Sequence, residues 1–529
     1  MNNERTISDF RSLSSIPQLV RDFLNREVPG LEDSLFTIES IRKQIEQQQS
    51  AFSGHERALL CEELERQHGY LPIAPEQKES LGLLKQENTF TVCTGHQLNL
   101  FTGPVFFIYK ILQTIKTAHY LRTELPEFNF VPIFWMASED HDLDEIDHFS
   151  TLQATYHIQG ESGGAVGRIV PKDISFNEAF SQEVRDTVYG TELSRLLMDA
   201  YTPGKNLAES TREIVQHLFS SYGLLVLDGD TRTLKQEMIP YFKEELLNQS
   251  LFHETKGRNE LIIKKYGGLQ VNPRSINLFH LDTIRQRIES HNGGFRLLET
   301  GEVFSVSGLM EVLEKFPERF SPNALLRPLY QQKILPNIAY IGGNAEIMYW
   351  IQLPEYFSKM GIPFPILIPR NSLLFLSKKT GAKIEKLQRD PIDFFQPLHQ
   401  FLKSYLLEES ALKDKIDQLE KGLKDAFEQL GELAQKTEGS FMQMVEAEQA
   451  RQTKSYNRFR KRLLRAEKIK HGEKVERIEQ LYNEIHPRGL WQERVLNFSV
   501  FYRDHGKDWL QNCYQEMEVT KSALIILPI

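Results

Sequence analysis

Residues 89–137 constrain the fold more than any other stretch. TFTVC (89–93) is a short β-rich run. VFFIYKILQTIKTAHYL (105–121) carries a long apolar stripe at helical spacing, and FVPIFWMA (130–137) is a second apolar run of strand length. Strand, helix and strand at this spacing form a βαβ unit, which predicts parallel strands joined by a right-handed crossover. Three later runs extend the pattern: GLLVLDGD (223–230), AYIGG (339–343) with the helical AEIMYWIQLPEYFSKM after it, and PFPILIPR (363–370). Strands and helices alternate over 90–375, so an α/β fold with a doubly wound parallel core is expected.

The remaining segments are placed around that core. Residues 1–149 hold N-terminal helices, such as IESIRKQIEQQQ and HERALLCEELERQ, and the first half of the core. Residues 150–205, with the Gly-rich GESGGAVGRIV, and 250–325, with strand-like pieces such as GLQVNPRSINLFHL, read as two insertions. Residues 206–249 and 326–377 continue the core. From 378 to 485 charged residues surround an apolar stripe: Leu412, Ile416, Leu419, Leu423, Phe427, Leu430 and Leu433. Steps of mostly three and four are the pattern of a packed helical seam. A break is expected near Gly439, then a second helix past Phe459, Leu463, Ile469, Val475, Ile478 and Leu481, ended by HPRGLW. The two long helices pair either as an antiparallel hairpin or with a second subunit. Residues 486–529 close the chain, and their apolar ALIILPI is expected to return to a core.

Composition excludes several classes. The net charge is −9, with no chain-wide basic footprint, which argues against a dedicated nucleic-acid binder. The three cysteines, Cys61, Cys93 and Cys513, are scattered and form no metal or redox spacing, which suits a reducing compartment. The N-terminal MNNERTISDF has no apolar signal core. No apolar run approaches the ~18 residues of a spanning helix. A soluble cytoplasmic protein is expected, with neither membrane nor nucleic acid as a partner.

Ligands of a parallel α/β sheet bind beyond the carboxyl ends of its strands, and three polar segments fall there. The first is TGHQLNLFTGP. Gly95 and Gly103 permit close backbone approach or positive φ. Thr102, Gly103 and Pro104 read as a helix start, with a capping Thr and Pro near the first turn, so the helix N-terminus suits phosphate or carboxylate. His96, Gln97 and Asn99 offer hydrogen bonds; the bland alternative is a capped turn. The segment matches neither a phosphate loop nor GxGxxG. The second is SEDHDLDEIDHF, where Glu139, Asp140, His141 and Asp142 follow a buried strand. Such groups act as a general base, bind a metal or grip an amine. The alternative is a solvated acidic helix start, which accounts for Asp144, Glu145 and Asp147 better than for His141. No HxxxH or similar spacing is present, so no metal is expected. The third is AYIGGNAEIMYW, where Gly342 and Gly343 turn amides towards an anion and Glu346 and Tyr349 share one helix face. Its bland alternative is a tight turn with a buried Trp350.

These blocks carry a resemblance. TGHQLNLFTGPVFFIYK, VPIFWMASEDHDLDEI, and the stretch from Ile334-Leu335-Pro336 through AYIGG to Glu346 and Tyr349-Trp350 resemble the bacillithiol biosynthesis cysteine-adding enzyme family, BshC. The late QERVLNF and YRDHG are similar to its C-terminal block, and the order matches from near Ser15 to the end. Asn344-Ala345 depart from the commoner Pro-Gly or Gly-Gly. The resemblance implies a Rossmann-like core with two connecting-peptide insertions and a long coiled coil that makes a homodimer. It implies a ligase that joins L-cysteine to the amine of glucosaminyl-malate, the last step of bacillithiol synthesis.

Amide formation from a free carboxylate needs activation, because hydroxide is a poor leaving group. The family's core resembles class I aminoacyl-tRNA synthetases, which by analogy implies ATP or another activating nucleotide and a cysteinyl-adenylate or cysteinyl-phosphate. On that reading His96 and the amides near Thr102 and Gly103 stabilise phosphate charge, with Thr94, Gly95, Gln97, Asn99 and Lys110 around the ligand. Asp140, His141 or Asp142, beside Glu139, bind the cysteine ammonium or deprotonate the sugar amine. Gly342, Gly343, Glu346, Tyr349 and Trp350 help position a substrate. LSKKTG (376–381) reads as a basic helix start on solvated surface, and Cys93 as an inert small hydrophobe. Two competing readings are a non-catalytic, nucleotide-binding dimer and a metal-dependent hydrolase using Asp140, His141 and Asp142.

Overall fold

The computed structural model describes residues 5–160, 163–408 and 412–529. Glu161 and Ser162 of the Gly-rich stretch lie outside the described residues, as do the side chains of Leu412 and Ile416. The chain divides into two compact units, one running to Leu374 and including 492–527, the other spanning 375–491 with the last two residues.

The first unit is built on a five-stranded sheet. Its strands are β1 (Thr89–His96), β2 (Asn129–Met136), β3 (Leu225–Asp228), β4 (Asn337–Gly342) and β5 (Ile366–Pro369), in the order β5-β4-β1-β2-β3. Every neighbouring pair is parallel. The chain steps outward from β1 to β3 on one side, then returns to β4 on the other side of β1. This is the Rossmann order, and the crevice beyond β1 and β4 is its topological switch point.

Helix α1 (Phe106–Glu124) links β1 to β2. Phe107, Ile108, Ile111, Leu112, Ile115, Ala118 and Leu121 are all buried, because a helix apolar round most of its circumference must be covered on several sides. Leu121 and Leu125 join Phe90, Val92, Phe130, Ile338, Ile341 and Ile368 in one core cluster. Truncating Leu121 to Ala there costs roughly 2–5 kcal/mol. That core fixes the strand ends from which the polar segments project.

The connections between core strands carry the extra structure. Between β2 and β3 lie a hairpin, His148–Ser150 with Thr155–His157, and the helices Phe176–Val184, Gly190–Ala200 and Leu207–Phe219. Between β3 and β4 come the helix Ser250–Tyr266 and an antiparallel sheet whose strands include Leu278–Leu281, Arg285–His291 and Phe320–Pro322. The N-terminal region holds the expected helices but also a strand, Thr6–Asp9. It pairs antiparallel with Ala523–Pro528, Thr6 opposite Ile526, so the apolar tail does return to the first unit. A four-residue strand with a partner at the other end of the chain leaves no local periodicity to read.

The second unit is helical. Leu412–Ala434 and Gly439–Lys470 form an antiparallel hairpin within the chain, with Phe427, Ala434 and Val445 packed against Leu423, Phe441 and Met442. The break falls at Gly439, as the sequence suggests. The following helix is not continuous: His471 separates Gly439–Lys470 from Gly472–Ile485. The apolar stripe is also wider than one helix–helix contact covers. Phe427 is buried, but Leu419, Leu430 and Leu433 are exposed, as are Phe459 and Ile469. Ser377 caps Lys378–Lys386 by accepting from the Thr380 amide at 3.1 Å, so LSKKTG is a basic helix start. Among the described residues no helix is long and apolar enough to cross a membrane.

Candidate active site

A cavity of about 530 Å³ lies at the carboxyl ends of β1, β2 and β4, all within the first unit. Gly95, His96 and Gln97 reach it from β1, and Glu139, Asp140 and His141 from beyond β2. Gly343, Glu346 and Tyr349 reach it from the start of α3 (Asn344–Trp350), after α2 (Arg327–Ile334) has contributed Arg327. The antiparallel insertion sheet adds Phe279 and Arg285.

One wall is cationic. Lys110, buried on α1, donates to the Gly95 carbonyl at 2.5 Å and pairs with Glu346 Oε1 at 2.6 Å. Glu346 also accepts from the Gly343 amide at 2.7 Å and from Tyr340 Oη at 3.1 Å. Burial alone would raise its carboxyl, but the Lys110 ammonium outweighs it and holds the group below the usual range. Burial pushes Lys110 down in turn, against the pull of Glu346. Arg327 passes close under Gly95, where a Cβ would stand 3.2 Å from its Nη1, so only glycine fits without displacing the guanidinium. Its hydrogen bonds go to Gln331 Oε1 at 3.0 Å and Tyr349 Oη at 3.3 Å. Among the described residues it has no carboxylate partner, and a guanidinium is always charged. Arg370 is clamped by Glu493 at 2.8 and 2.9 Å, yet its Nε is buried without a partner on the cavity side, where Arg370 also lies over the Phe106 ring.

His96 sits between these cations with its ring edge-on to Phe106 and Phe107. Burial, aided by the neighbouring Lys110 cation, pushes its imidazolium down to about 3. His96 is therefore neutral at pH 7, and Nε2 is buried without a partner. The cations that line the cavity here are Lys110, Arg327, Arg370 and Arg494.

The segment after β2 brings two carboxylates, Glu139 and Asp140, each beside a cation, Lys235 and Arg285. Asp140 accepts from Gln97 Nε2 at 2.7 Å and from the His141 amide at 2.8 Å. Burial would raise its carboxyl, but the His141 hydrogen bond and the Arg285 cation hold it far below the usual range. Glu139 is pushed the other way: burial raises it, despite Lys235 Nζ at 2.5 Å. Lys235 is wholly buried and bridges Glu139 to Asp230, itself held by Arg168 at 2.8 and 2.9 Å. Arg285 donates to His141 Nδ1 at 2.9 Å. The same Nδ1 lies 3.4 Å from Asp140 Oδ1, so it sits between the guanidinium and the carboxylate.

Several sequence-based candidates lie elsewhere. Thr94 Oγ1 donates to the Ile341 carbonyl at 2.8 Å and ties β1 to β4. Thr102 does not cap α1, which starts at Phe106 after Val105. Phe101, Thr102 and Gly103 all take positive φ, and Asn497 Nδ2 holds the Phe101 and Gly103 carbonyls at 2.7 Å each. That loop is buried against 496–498, and Thr102, Gly103 and Asn99 are not part of the cavity lining, which α1 reaches through Phe106 and Lys110. Asp142 caps the helix Leu143–Ile146 through the Glu145 amide at 3.3 Å. Gly342 is enclosed beneath the cavity, and Trp350 is buried against Tyr340, ring centroids 4.5 Å apart. Asp140, His141 and Asp142 do not converge on one point, and the Arg285 cation occupies the His141 nitrogen nearest Asp140, which disfavours a metal there. Cys93 is fully buried and its thiol is pushed up by burial, as suits an inert side chain.

Sequence reasoning missed Arg285, Arg327, Arg370 and Lys235. Arg285, Arg327 and Lys235 stand in no motif and arrive through packing, whereas Arg370 closes the strand run PFPILIPR directly after β5. A further legible trace was QERVLNF, whose Glu493 and Asn497 anchor Arg370 and the 101–103 loop.

A family model described as bacillithiol biosynthesis BshC, N-terminal Rossmann-like domain, matches residues 10–371. A second, described as bacillithiol biosynthesis BshC, C-terminal coiled-coil domain, matches residues 373–528. A protein of Flavobacterium johnsoniae is 37% identical over 97% of this chain and 97% of its own length. One of Flavobacterium psychrophilum is 38% identical over 96% and 97%, and one of Bacillus anthracis 23% identical over 95% and 96%. All three carry the provisional name cysteine ligase BshC.

Proposed function

Because the chain belongs to the bacillithiol biosynthesis BshC family, we propose that it is a ligase that forms an amide between L-cysteine and the amine of glucosaminyl-malate. The observation that carries this reading is the polarity of the cavity. Lys110, Arg285, Arg327, Arg370 and Arg494 line it together with the carboxylates of Glu139, Asp140 and Glu346 at the switch point of the sheet. Substrates bearing both carboxylates and an amine match such a site.

ATP is the proposed activating cosubstrate. The cysteine carboxylate attacks a phosphorus of ATP, displacing pyrophosphate from the α-phosphorus or ADP from the γ-phosphorus, and gives a mixed anhydride. The sugar amine then attacks the carbonyl carbon, the anhydride C–O bond breaks, and AMP or phosphate departs. The cationic wall stabilises the anionic groups in this sequence. Asp140, with its depressed pKa, is a weak base suited to hold an ammonium. Glu139, with its raised pKa, is the better acceptor of the amine proton. His141 is a further hydrogen-bonding group for substrate. His96 is a neutral hydrogen-bonding group of the same wall. Gln97, Glu346 and Tyr349 orient the groups that touch substrate.

The hairpin of the second unit is proposed to pair two copies into a homodimer, which the exposed Leu419, Leu433, Phe459 and Ile469 support. A cytoplasmic site of action fits three free cysteines. A strain lacking the gene is expected to accumulate glucosaminyl-malate and lose bacillithiol; unchanged levels of both would refute the assignment.

A further inference from the structure

Outside the cavity, one group of side chains is arranged as a chelate. The hairpin after β2 sets His148 directly opposite His157. Their rings lie 5.4 Å apart and 30° from parallel. Asp147, just before the first hairpin strand, turns its carboxylate to both: His148 Nδ1 is 2.8 Å from Oδ1, and His157 Nδ1 is 3.4 Å from Oδ2. One ligand atom from each residue lies within 4.8 Å of the other two, and among the described residues no other trio of His, Cys, Asp or Glu is so placed. The backbone braces the group, since the Ile158 amide donates to the Asp147 carbonyl at 2.9 Å. Among the described residues Asp147 has no lysine or arginine partner; its ion-pair partners are the two imidazoles.

We propose that Asp147, His148 and His157 bind a divalent transition ion of the zinc class. Two imidazole nitrogens and one carboxylate oxygen suit Zn²⁺ and its neighbours. Mg²⁺ and Ca²⁺ prefer all-oxygen sites. An ion ~2.1 Å from each ligand draws the three atoms together, and the exposed His157 ring is free to turn towards it. Each neutral imidazole frees Nδ1 by carrying its proton on Nε2, and water fills the positions that protein leaves open. None of the three residues lines the cavity, so the role is structural. The ion ties the hairpin to the helix Leu143–Ile146, whose Glu145 accepts from Gln97 at 2.9 Å at the cavity edge. No short motif announces the site, because hairpin register rather than helical spacing brings the histidines together. The inference does not depend on which reaction the cavity performs.

The test uses full-length protein without a polyhistidine tag, equilibrated with Zn²⁺ and, separately, titrated with Co²⁺. The wild type is expected to retain one equivalent of Zn²⁺ per chain, to give visible Co²⁺ ligand-field bands and to melt higher when loaded. H148Q, H157Q and D147N should each weaken binding by at least the ~10–100-fold seen when mere supporting residues are lost. H141Q, in the cavity, should bind like wild type. His157 is exposed, so H157Q tests the ligand without disturbing the core. Absence of stoichiometric Zn²⁺ from the wild type, or unchanged binding in H148Q and H157Q, would overturn the proposal.

Discussion

Lys110 and Glu346, 236 residues apart in sequence, meet in a 2.6 Å ion pair at the head of the cavity. The pair joins α1 to α3, and through the Gly95 carbonyl and the Gly343 amide it fixes both loops of the switch point. Removing one partner strands a charge that is partly or wholly buried. K110M is expected to destabilise the first unit by about 3 kcal/mol, the low end for buried pairs because Glu346 opens on the cavity. Turnover should fall about 100-fold. The double variant K110M/E346L should regain part of the stability but none of the turnover. Urea denaturation with parallel assays checks this, and full activity in K110M would refute the role given to the pair.

Arg327 differs from Lys110 in having no acidic partner among the described residues. We propose that this cation meets an anion of the ligand. R327M is expected to raise KM for glucosaminyl-malate roughly 10–100-fold, the equivalent of a lost charged contact, while stability changes little. R327K should restore only part, since a point charge cannot reproduce the planar fork. Steady-state kinetics and thermal melts decide it. A large loss of stability with an unchanged KM would instead make Arg327 a purely structural residue.

His96 makes stability depend on acidity with a definite sign. In the folded protein it stays neutral down to about pH 3, whereas the unfolded chain binds the proton near 6.5. Between those values the unfolded state holds more protons, so stability rises with pH through the window and is lost on acidification. His68, pushed down to about 4 chiefly by burial, acts in the same direction. H96Q is expected to flatten the slope of unfolding free energy against pH between 4 and 6.5. A slope identical to wild type would mean that His96 is protonated in the native state.

The helical unit carries the next expectation. Its hairpin leaves Phe459 and Ile469 66% and 74% exposed, too much for apolar residues of a finished seam. F459E with I469E should convert a dimer to monomers without altering the far-ultraviolet dichroism. Light scattering reads the mass directly, and a monomeric wild type would dispose of the dimer.

Much of the architecture could be read from the sequence, for identifiable reasons. β1, α1 and β2 are long, apolar and strongly patterned, so burial dictated them. The strand Thr6–Asp9 escaped notice because its partner is the other chain terminus. The site was half legible. Segments at strand ends announced His96, Asp140, Glu346 and Tyr349, because polar residues directly after buried strands are anomalous. Arg285 and Arg327 gave no such signal, since an arginine in an insertion or at a helix start is ordinary until the fold turns it inward. Thr102 misled because a Thr-Gly-Pro run normally starts a helix, whereas here three positive φ values bend it towards Asn497.

The most direct test incubates the purified protein with L-cysteine and glucosaminyl-malate, with and without ATP, and follows product and nucleotide by mass spectrometry. Bacillithiol is expected only with ATP, matched by AMP or ADP, with product greatly reduced in R327M and K110M. Product formed without any nucleotide would contradict the activation step. No product from well-folded protein with all three substrates would contradict the assignment of this cavity as a cysteine ligase site.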